Sequence, residues 1–198
     1  MMKQMTNIPS KQARLEEIIL AGMAEIMPLD RLNDLLRLNN TRIEKPSLHL
    51  ATIPGFLIEN MSFASAAGLL IRAGRSSFKY LFDAWGIELG FTSIEYRLSP
   101  QPRRIRSGLE KLSGLFTNNF GYPSDFIEDS TQFTWRFHTC PFCIPASNQQ
   151  PVCFLATGLL QEFFGWASGG KYFPASEKKC LAHNNNCCEI YLDKKPLD

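Results

Sequence analysis

All six cysteines of this 198-residue chain lie between residues 140 and 188, and none occurs before them. A scarce residue concentrated in this way indicates a bound metal, disulfides or thiol chemistry. The six are Cys140, Cys143, Cys153, Cys180, Cys187 and Cys188. The fold of this region and its function both depend on which of the three explanations applies.

The bulk composition is that of a globular protein, with 44% apolar and 20% charged residues. Its length suits one domain, or one domain with a helical extension. The 15 phenylalanines can fill a core or line an apolar pocket. A net charge of +2 is too small to attract nucleic acid strongly by electrostatics, so we expect no direct nucleic-acid partner.

The sequence shows no secretion signal and no membrane span. Residues Met1 to Lys11 are polar, and the longest apolar stretch, Phe63 to Ile71, is too short to cross a bilayer. We therefore expect a cytoplasmic protein. Thiols stay reduced there, which favours a metal or thiol chemistry over disulfides.

Hydrophobic periodicity predicts helices first and strands towards the end of the chain. Helices are predicted at 11–27, 31–37, 60–85, 103–120 and 153–166. Strands are predicted at 91–98, 133–138, 171–174 and 188–192, with an irregular or extended stretch around Pro46 and Pro54. In the longest helix one stripe is expected to be buried: Leu70, Ala73, Gly74, Phe78, Leu81 and Trp85. In the helix at 103–120 the expected inner face is Ile105, Leu109, Leu112, Leu115 and Phe116. Gly68 and Gly74 would allow close approach to the longest helix, and Gly86 would cap its end. This order predicts an α+β fold, with helices packed on a small antiparallel sheet.

The spacing around Glu177, Cys180 and Cys188 is suited to a metal. With Cys153 these residues offer three thiolates and one carboxylate, a set that tetrahedral zinc accepts. The intervening loop, 181–187, is polar and turn-prone, and a metal would hold it in place. The pair Cys140-Pro-Phe-Cys143 could be half of a zinc knuckle or a redox pair, although the strand–helix context of redox pairs is missing. For Cys187 we expect a buried, apolar role.

The C-terminal motifs resemble a known family. The run Pro151-Val-Cys153, the helix with Gly158, Gly169-Gly-Lys, and Glu177-x-x-Cys180-x7-Cys188-Glu-Ile are similar to the 4-vinyl reductase, or hydrocarbon-binding, domain. This family includes sensor domains of aromatic-responsive transcription activators and a bacteriochlorophyll-biosynthesis protein. The resemblance implies a fold similar to Golgi transport-particle subunits, with a buried apolar cavity.

The resemblance also implies roles for individual residues. It places a Zn²⁺ ion on Cys153, Glu177, Cys180 and Cys188, and a ligand-contacting indole at Trp135. The alternative for Trp135 is a packed position in the core, where a buried indole also finds a partner. Many relatives have a Gly-Asp turn where this chain has Asn184-Asn185, which tolerates left-handed backbone angles. Four protein ligands saturate tetrahedral zinc, so the ion would be structural.

Together these expectations describe a zinc-stabilised sensor or carrier for a small apolar or aromatic molecule. Residues 1–60 would form a helical extension for dimerisation or packing, and residues 61–198 the binding domain of a homodimer. The expected pocket lining is Trp135, Phe78, Leu81 and Phe154. The alternative is an accessory protein or reductase component acting on the vinyl group of a tetrapyrrole in bacteriochlorophyll biosynthesis. Catalysis is the weaker expectation, because no dinucleotide-binding fingerprint is present.

Overall fold

The computed structural model describes residues 14–28, 30–31 and 50–197. Among the described residues, six helices have both ends defined: α1 (Leu15–Ile26), α2 (Ile53–Asn60), α3 (Phe63–Trp85), α4 (Ile94–Leu98), α5 (Gln101–Gly114) and α6 (Phe154–Ser168). The same residues contain four strands: β1 (Ser124–Glu128), β2 (Gln132–Phe137), β3 (Ala175–Lys179) and β4 (Cys188–Asp193). Short 3-10 turns cover Leu50–Thr52 and Leu181–His183, and a π-helical turn, Leu115–Asn119, extends α5. The predicted α+β fold is confirmed.

The four strands form one antiparallel sheet in the order β1-β2-β4-β3. In the central pair, Trp135 lies opposite Ile190 and Phe137 lies opposite Cys188. This register matters for the site, because it places the loop that follows β2 beside the start of β4. Strand β1 was not predicted; its sequence, SDFIE, begins with polar residues and shows little alternation.

The helices pack closely around α3, which contacts both α1 and α6. The buried stripe predicted for this helix is observed, and includes Leu70, Ala73, Gly74, Phe78 and Leu81. Gly74 faces the backbone of α6, where a Cβ would lie 2.1 Å from the carbonyl oxygen of Leu155. Absence of a side chain at this position therefore sets how closely the two helices approach.

Two predicted strands are wrong. Residues 91–98 contain helix α4, whose cap residue Ser93 accepts a hydrogen bond from the backbone N–H of Tyr96. A serine cap is a local helix signal that outweighs loose alternation over so few residues. At 171–174 the structure has only an isolated bridge between Tyr172 and Leu197, and the strand itself begins at Ala175.

Several predicted helix boundaries also differ. The stretch around Pro54 is helical, because proline in a first helical turn sacrifices no intrahelical hydrogen bond. The helix predicted at 60–85 begins only after its cap residue, Ser62. Gly86 is the C-cap residue of α3 as predicted, but its backbone is right-handed at φ −59°, and the left-handed turn comes at Gly90. The prediction for 31–37 and the expectation at Pro46 lie outside the described residues, apart from Arg31.

Candidate metal centre and ligand-binding site

Four donors converge where α6 meets the β3–β4 hairpin. Cys153 is the cap residue of α6, Glu177 lies within β3, Cys180 directly follows β3, and Cys188 begins β4. The antiparallel pairing of β3 and β4 brings the last two cysteines to the same end of the sheet. The donor atoms of all four residues lie within 4.8 Å of one another, so this predicted ligand set comes together in space.

The sulfur spacing in this group suits tetrahedral coordination. The Sγ atom of Cys153 lies 3.6 Å from that of Cys180 and 3.5 Å from that of Cys188. The third distance, between Cys180 and Cys188, is 3.9 Å. Zinc–sulfur bonds of about 2.3 Å at tetrahedral angles give sulfur–sulfur edges of about 3.8 Å. The three sulfurs are therefore already spaced as ligands of one ion.

Glu177 completes the set and carries an unpaired oxygen. Its Oε2 accepts a hydrogen bond of 2.7 Å from the backbone N–H of Cys153. Its Oε1 is buried and has no hydrogen-bond partner. Buried polar atoms are rarely left unpaired, because desolvation then goes uncompensated. A cation beside the sulfurs would remove this deficiency, so the residues present fit a divalent metal.

The electrostatics of the group point the same way. Burial, and next the neighbouring Cys180, raise the pKa of Glu177 to about 9. Burial likewise raises the pKa of the Cys153 thiol. Packed acidic groups cannot all ionise without a compensating charge. A divalent ion would supply that charge and hold the carboxylate and thiolates in their ionised forms.

The loop between Cys180 and Cys188 is shaped by its asparagines. Asn184 has the left-handed backbone conformation, with φ 57°, as the Asn-Asn sequence suggested. The Asn185 side chain donates a 3.1 Å hydrogen bond to the carbonyl of Cys180. The backbone N–H of Leu181 points to the sulfur of Cys188 at 3.3 Å. His183 is exposed in this loop, away from the buried sulfurs.

Cys140 and Cys143 join the same cluster. The sulfur of Cys140 lies 3.4 Å from that of Cys153, and the sulfur of Cys143 lies 3.5 Å from that of Cys188. These four sulfurs form a second group within 4.8 Å. From the sequence alone the role of this pair stays open between a half zinc knuckle and a redox pair, although the Cys-x-x-Cys spacing is itself a metal-ligand signal. We refer below to these four cysteines with Cys180 and Glu177 as the sulfur cluster.

Cys187 lies apart from the sulfur cluster. Its side chain is half-buried, rather than fully buried as expected, and its sulfur faces Glu189 Oε1 at 3.8 Å. The next residue in the chain, Cys188, points into the cluster instead. Alternation along the start of β4 explains the difference, because successive side chains of a strand point to opposite faces.

The four predicted pocket residues lie in different surroundings. Trp135 is fully buried and packs against Phe116 and Phe137, while its indole Nε1 has no hydrogen-bond partner. Phe154 is half-buried against Phe63. Leu81 and Phe78 are both buried on α3. The ligand-lining role of these residues remains a prediction.

Phe78 lines a groove of about 540 Å³ bordered by α1, α3 and α6, which sequence reasoning did not find. Its apolar lining includes Phe82 and Trp166, whose rings lie 5.1 Å apart. The lining also includes six charged residues: Glu25, Arg72, Arg75, Lys79, Asp83 and Glu162. The volume is within the range of small-molecule pockets.

A family model described as methanogen output domain 1, MetOD1, matches residues 91–192. The chain belongs to the MetOD1 family. The matched region contains the whole sulfur cluster and Trp135. The resemblance to the 4-vinyl reductase family stays a prediction beside this assignment. No curated protein matches the chain in sequence.

Comparison with solved structures finds two that are similar to this chain. An H-NOX protein from S. oneidensis in the Fe(II)NO ligation state is 12% identical, with a TM-score of 0.51 over 91% of this chain and 99% of that chain. The phenol-responsive sensory domain of the transcription activator PoxR, solved with phenol, is 18% identical, with a TM-score of 0.48 over 74% of each chain. At this identity the likeness to the H-NOX protein shows the fold alone. Within the described part of the chain, no helix is long and apolar enough to span a membrane.

Proposed function

We propose that this MetOD1 chain is a sensory domain that binds a small aromatic or apolar molecule, and that Zn²⁺ holds its C-terminal region. One observation carries the proposal. Among the residues that the structure describes, two buried side-chain polar atoms have no hydrogen-bond partner, Trp135 Nε1 and Glu177 Oε1. One belongs to the predicted ligand site and the other to the predicted metal site. Such atoms are uncommon in folded proteins and indicate missing partners.

In this proposal Zn²⁺ binds Cys153, Glu177, Cys180 and Cys188. The bound ion acts as a cross-link between the start of α6 and the β3–β4 hairpin. Four protein ligands leave no position for an activated water, which favours a structural ion. The cytoplasm would keep the thiols reduced and able to bind it.

The small molecule would accept a hydrogen bond from the Trp135 indole. Aromatic rings surround this side chain, so a ligand with one flat apolar body and one acceptor oxygen suits it. Phe78, Leu81 and Phe154 remain the proposed further lining. Because Phe116 and Phe137 pack directly on Trp135, binding would require these rings to move.

The proposed organisation keeps residues 61–198 as the binding domain and residues 1–60 as a helical extension in a homodimer. Ile18, Ile19 and Met23 of α1 are fully buried, so this part of the extension packs within its own chain. Light scattering on the purified chain measures the mass in solution. A monomeric mass would overturn the proposed homodimer.

The ligand proposal is tested with phenol and toluene as probes. Both have one aromatic ring, but phenol carries a hydroxyl group where toluene carries a methyl group. We expect phenol to bind more tightly than toluene, and Trp135→Phe to weaken phenol binding about tenfold, the equivalent of about 1.4 kcal/mol. Trp85→Phe, at a tryptophan of α3 outside the proposed lining, is the matched control and should leave the affinity unchanged. Equal affinities in the wild type and Trp135→Phe, measured by calorimetry, would refute the role of Trp135.

Native mass spectrometry of freshly purified protein tests the metal and identifies a co-purified ligand together. A zinc mass with a phenolic, lipid or hydrocarbon mass supports the proposal. A tetrapyrrole mass would favour the alternative role in bacteriochlorophyll biosynthesis.

A further inference from the structure

We propose that the sulfur cluster binds two divalent metal ions, bridged by the sulfurs of Cys153 and Cys188. This inference rests on the zinc centre proposed above and adds a second metal position to it. The second ion would be held by Cys140, Cys143, Cys153 and Cys188.

The two ligand groups overlap in a specific way. One group is Cys140, Cys143, Cys153 and Cys188, and the other is Cys153, Glu177, Cys180 and Cys188. Each has four donors, and the two groups share two sulfurs. Two tetrahedra that share one edge need six donors in total, and six are present. A thiolate sulfur has enough lone pairs to bridge two ions.

The distances match that arrangement. The proposed shared edge, from Cys153 to Cys188, measures 3.5 Å. The sulfur of Cys140 lies 3.4 Å from that of Cys153, and the sulfur of Cys143 lies 3.5 Å from that of Cys188. The sulfur of Cys180 lies 3.6 Å from that of Cys153 and 3.9 Å from that of Cys188. All are close to the edge of about 3.8 Å expected for tetrahedral metal–thiolate coordination. A single tetrahedral ion would bind only four of the six donors, whereas two ions that share two sulfurs would bind all six.

The fold holds the Cys-x-x-Cys loop against the shared sulfurs. Cys140, Cys143 and the intervening Phe142 are all buried. Beyond them, the backbone N–H of Ala146 donates to the carbonyl of Leu181 at 2.9 Å. The loop is thus tied to the segment that carries Cys180.

Charge permits a second ion, because one ion on its four ionised ligands leaves a net charge of −2 and a second ion on two further thiolates leaves the same value. With one ion, the Cys140 and Cys143 thiols would have to stay protonated at contact distance from bound thiolates. With two ions, all six donors can ionise, and the four added positive charges leave a net charge of −2. Buried anionic groups need such compensation. The all-sulfur position suits a thiophilic metal such as zinc.

The first test is the metal content of the purified full-length chain, by elemental analysis and native mass spectrometry. We expect two ions per wild-type chain and one ion in Cys140→Ser/Cys143→Ser. Cys187→Ser is the matched control and should retain two, because its sulfur lies outside the cluster. One ion per wild-type chain would overturn the second position and leave the zinc proposal standing. No ion would overturn both.

A second measurement does not depend on variants that fold. Cobalt(II) is titrated into the metal-free wild-type chain, and binding is followed by thiolate charge-transfer absorption and electron paramagnetic resonance. Bridging sulfurs should couple the two ions, so the resonance intensity should fall as the second equivalent binds. Saturation at one equivalent, or intensity that grows in proportion to two bound ions, would overturn the bridged pair.

Discussion

The crossing of α3 and α6 gives a sharp test of the fold through one added methyl group. Gly158 of α6 faces the backbone of α3, and a Cβ there would lie 2.0 Å from the carbonyl oxygen of Ile71 and 3.0 Å from its Cα. Gly74 makes the reciprocal contact from α3. Both obstructing groups are backbone, so rotation of a side chain cannot relieve the clash.

The magnitude follows from the separation that the methyl group requires. A Cβ atom essentially never lies within 3.0 Å of another heavy atom, so the two helices must move apart by about 1 Å at Gly158. Overpacking of this kind costs about 3 kcal/mol at the upper end of the usual range. The better helix propensity of alanine offsets about 1 kcal/mol. We therefore expect Gly158→Ala to lower the free energy of unfolding by about 2 kcal/mol.

Urea unfolding followed by circular dichroism, with metal bound, measures the effect as a lower midpoint at unchanged slope. The matched control is Gly68→Ala on α3, where an added Cβ meets no heavy atom within 4 Å. The same substitution should there stabilise by up to about 1 kcal/mol, through propensity alone. If both variants shift the midpoint upwards, the close backbone contact does not exist.

Three further predictions concern the metal and the core. Chelation of the metal, or Cys180→Ser, should lower the unfolding free energy by several kcal/mol, because metal binding and folding are coupled; unchanged melting after confirmed metal loss contradicts this. In the metal-free protein, burial raises the pKa of Glu177 from 4.5 to about 9, so the folded state binds the extra proton between these values. The contribution of Glu177 to the free energy of unfolding should then be fully present below pH 4.5 and fall by at most about 1.4 kcal/mol per pH unit as the pH rises towards 9. Glu177→Gln should remove this component from the pH dependence of thermal unfolding. Gln161 donates a buried 3.0 Å hydrogen bond to the carbonyl of Phe173, so Gln161→Met should cost about 1–3 kcal/mol in urea unfolding, and the exposed change Lys171→Gln should cost far less.

The sequence by itself determined the elements whose signals are local. Periodicity located the buried stripe of α3, the inner face of α5, helix α6, and strands β2 and β4, because side-chain burial repeats at the period of each element. The spacing of Glu177, Cys180 and Cys188 indicated a site, because a strand and a turn-prone loop are enough to bring these residues together. Alternation gave the wrong element for 91–98, because a loose alternation over so few residues is a weaker signal than the helix cap at Ser93.

The tertiary structure alone decided how the remaining donors meet. Cys143 and Cys188 are far apart in the chain, and their sulfurs come within 3.5 Å because β2 pairs antiparallel with β4 and Phe137 lies opposite Cys188. Strand register depends on the packing of the whole sheet, which no single segment encodes. The groove beside Phe78 and the glycine crossing at Gly158 likewise exist only where separate helices meet. A one-dimensional pattern shows which residues are able to bind a metal, and the fold decides which of them share it.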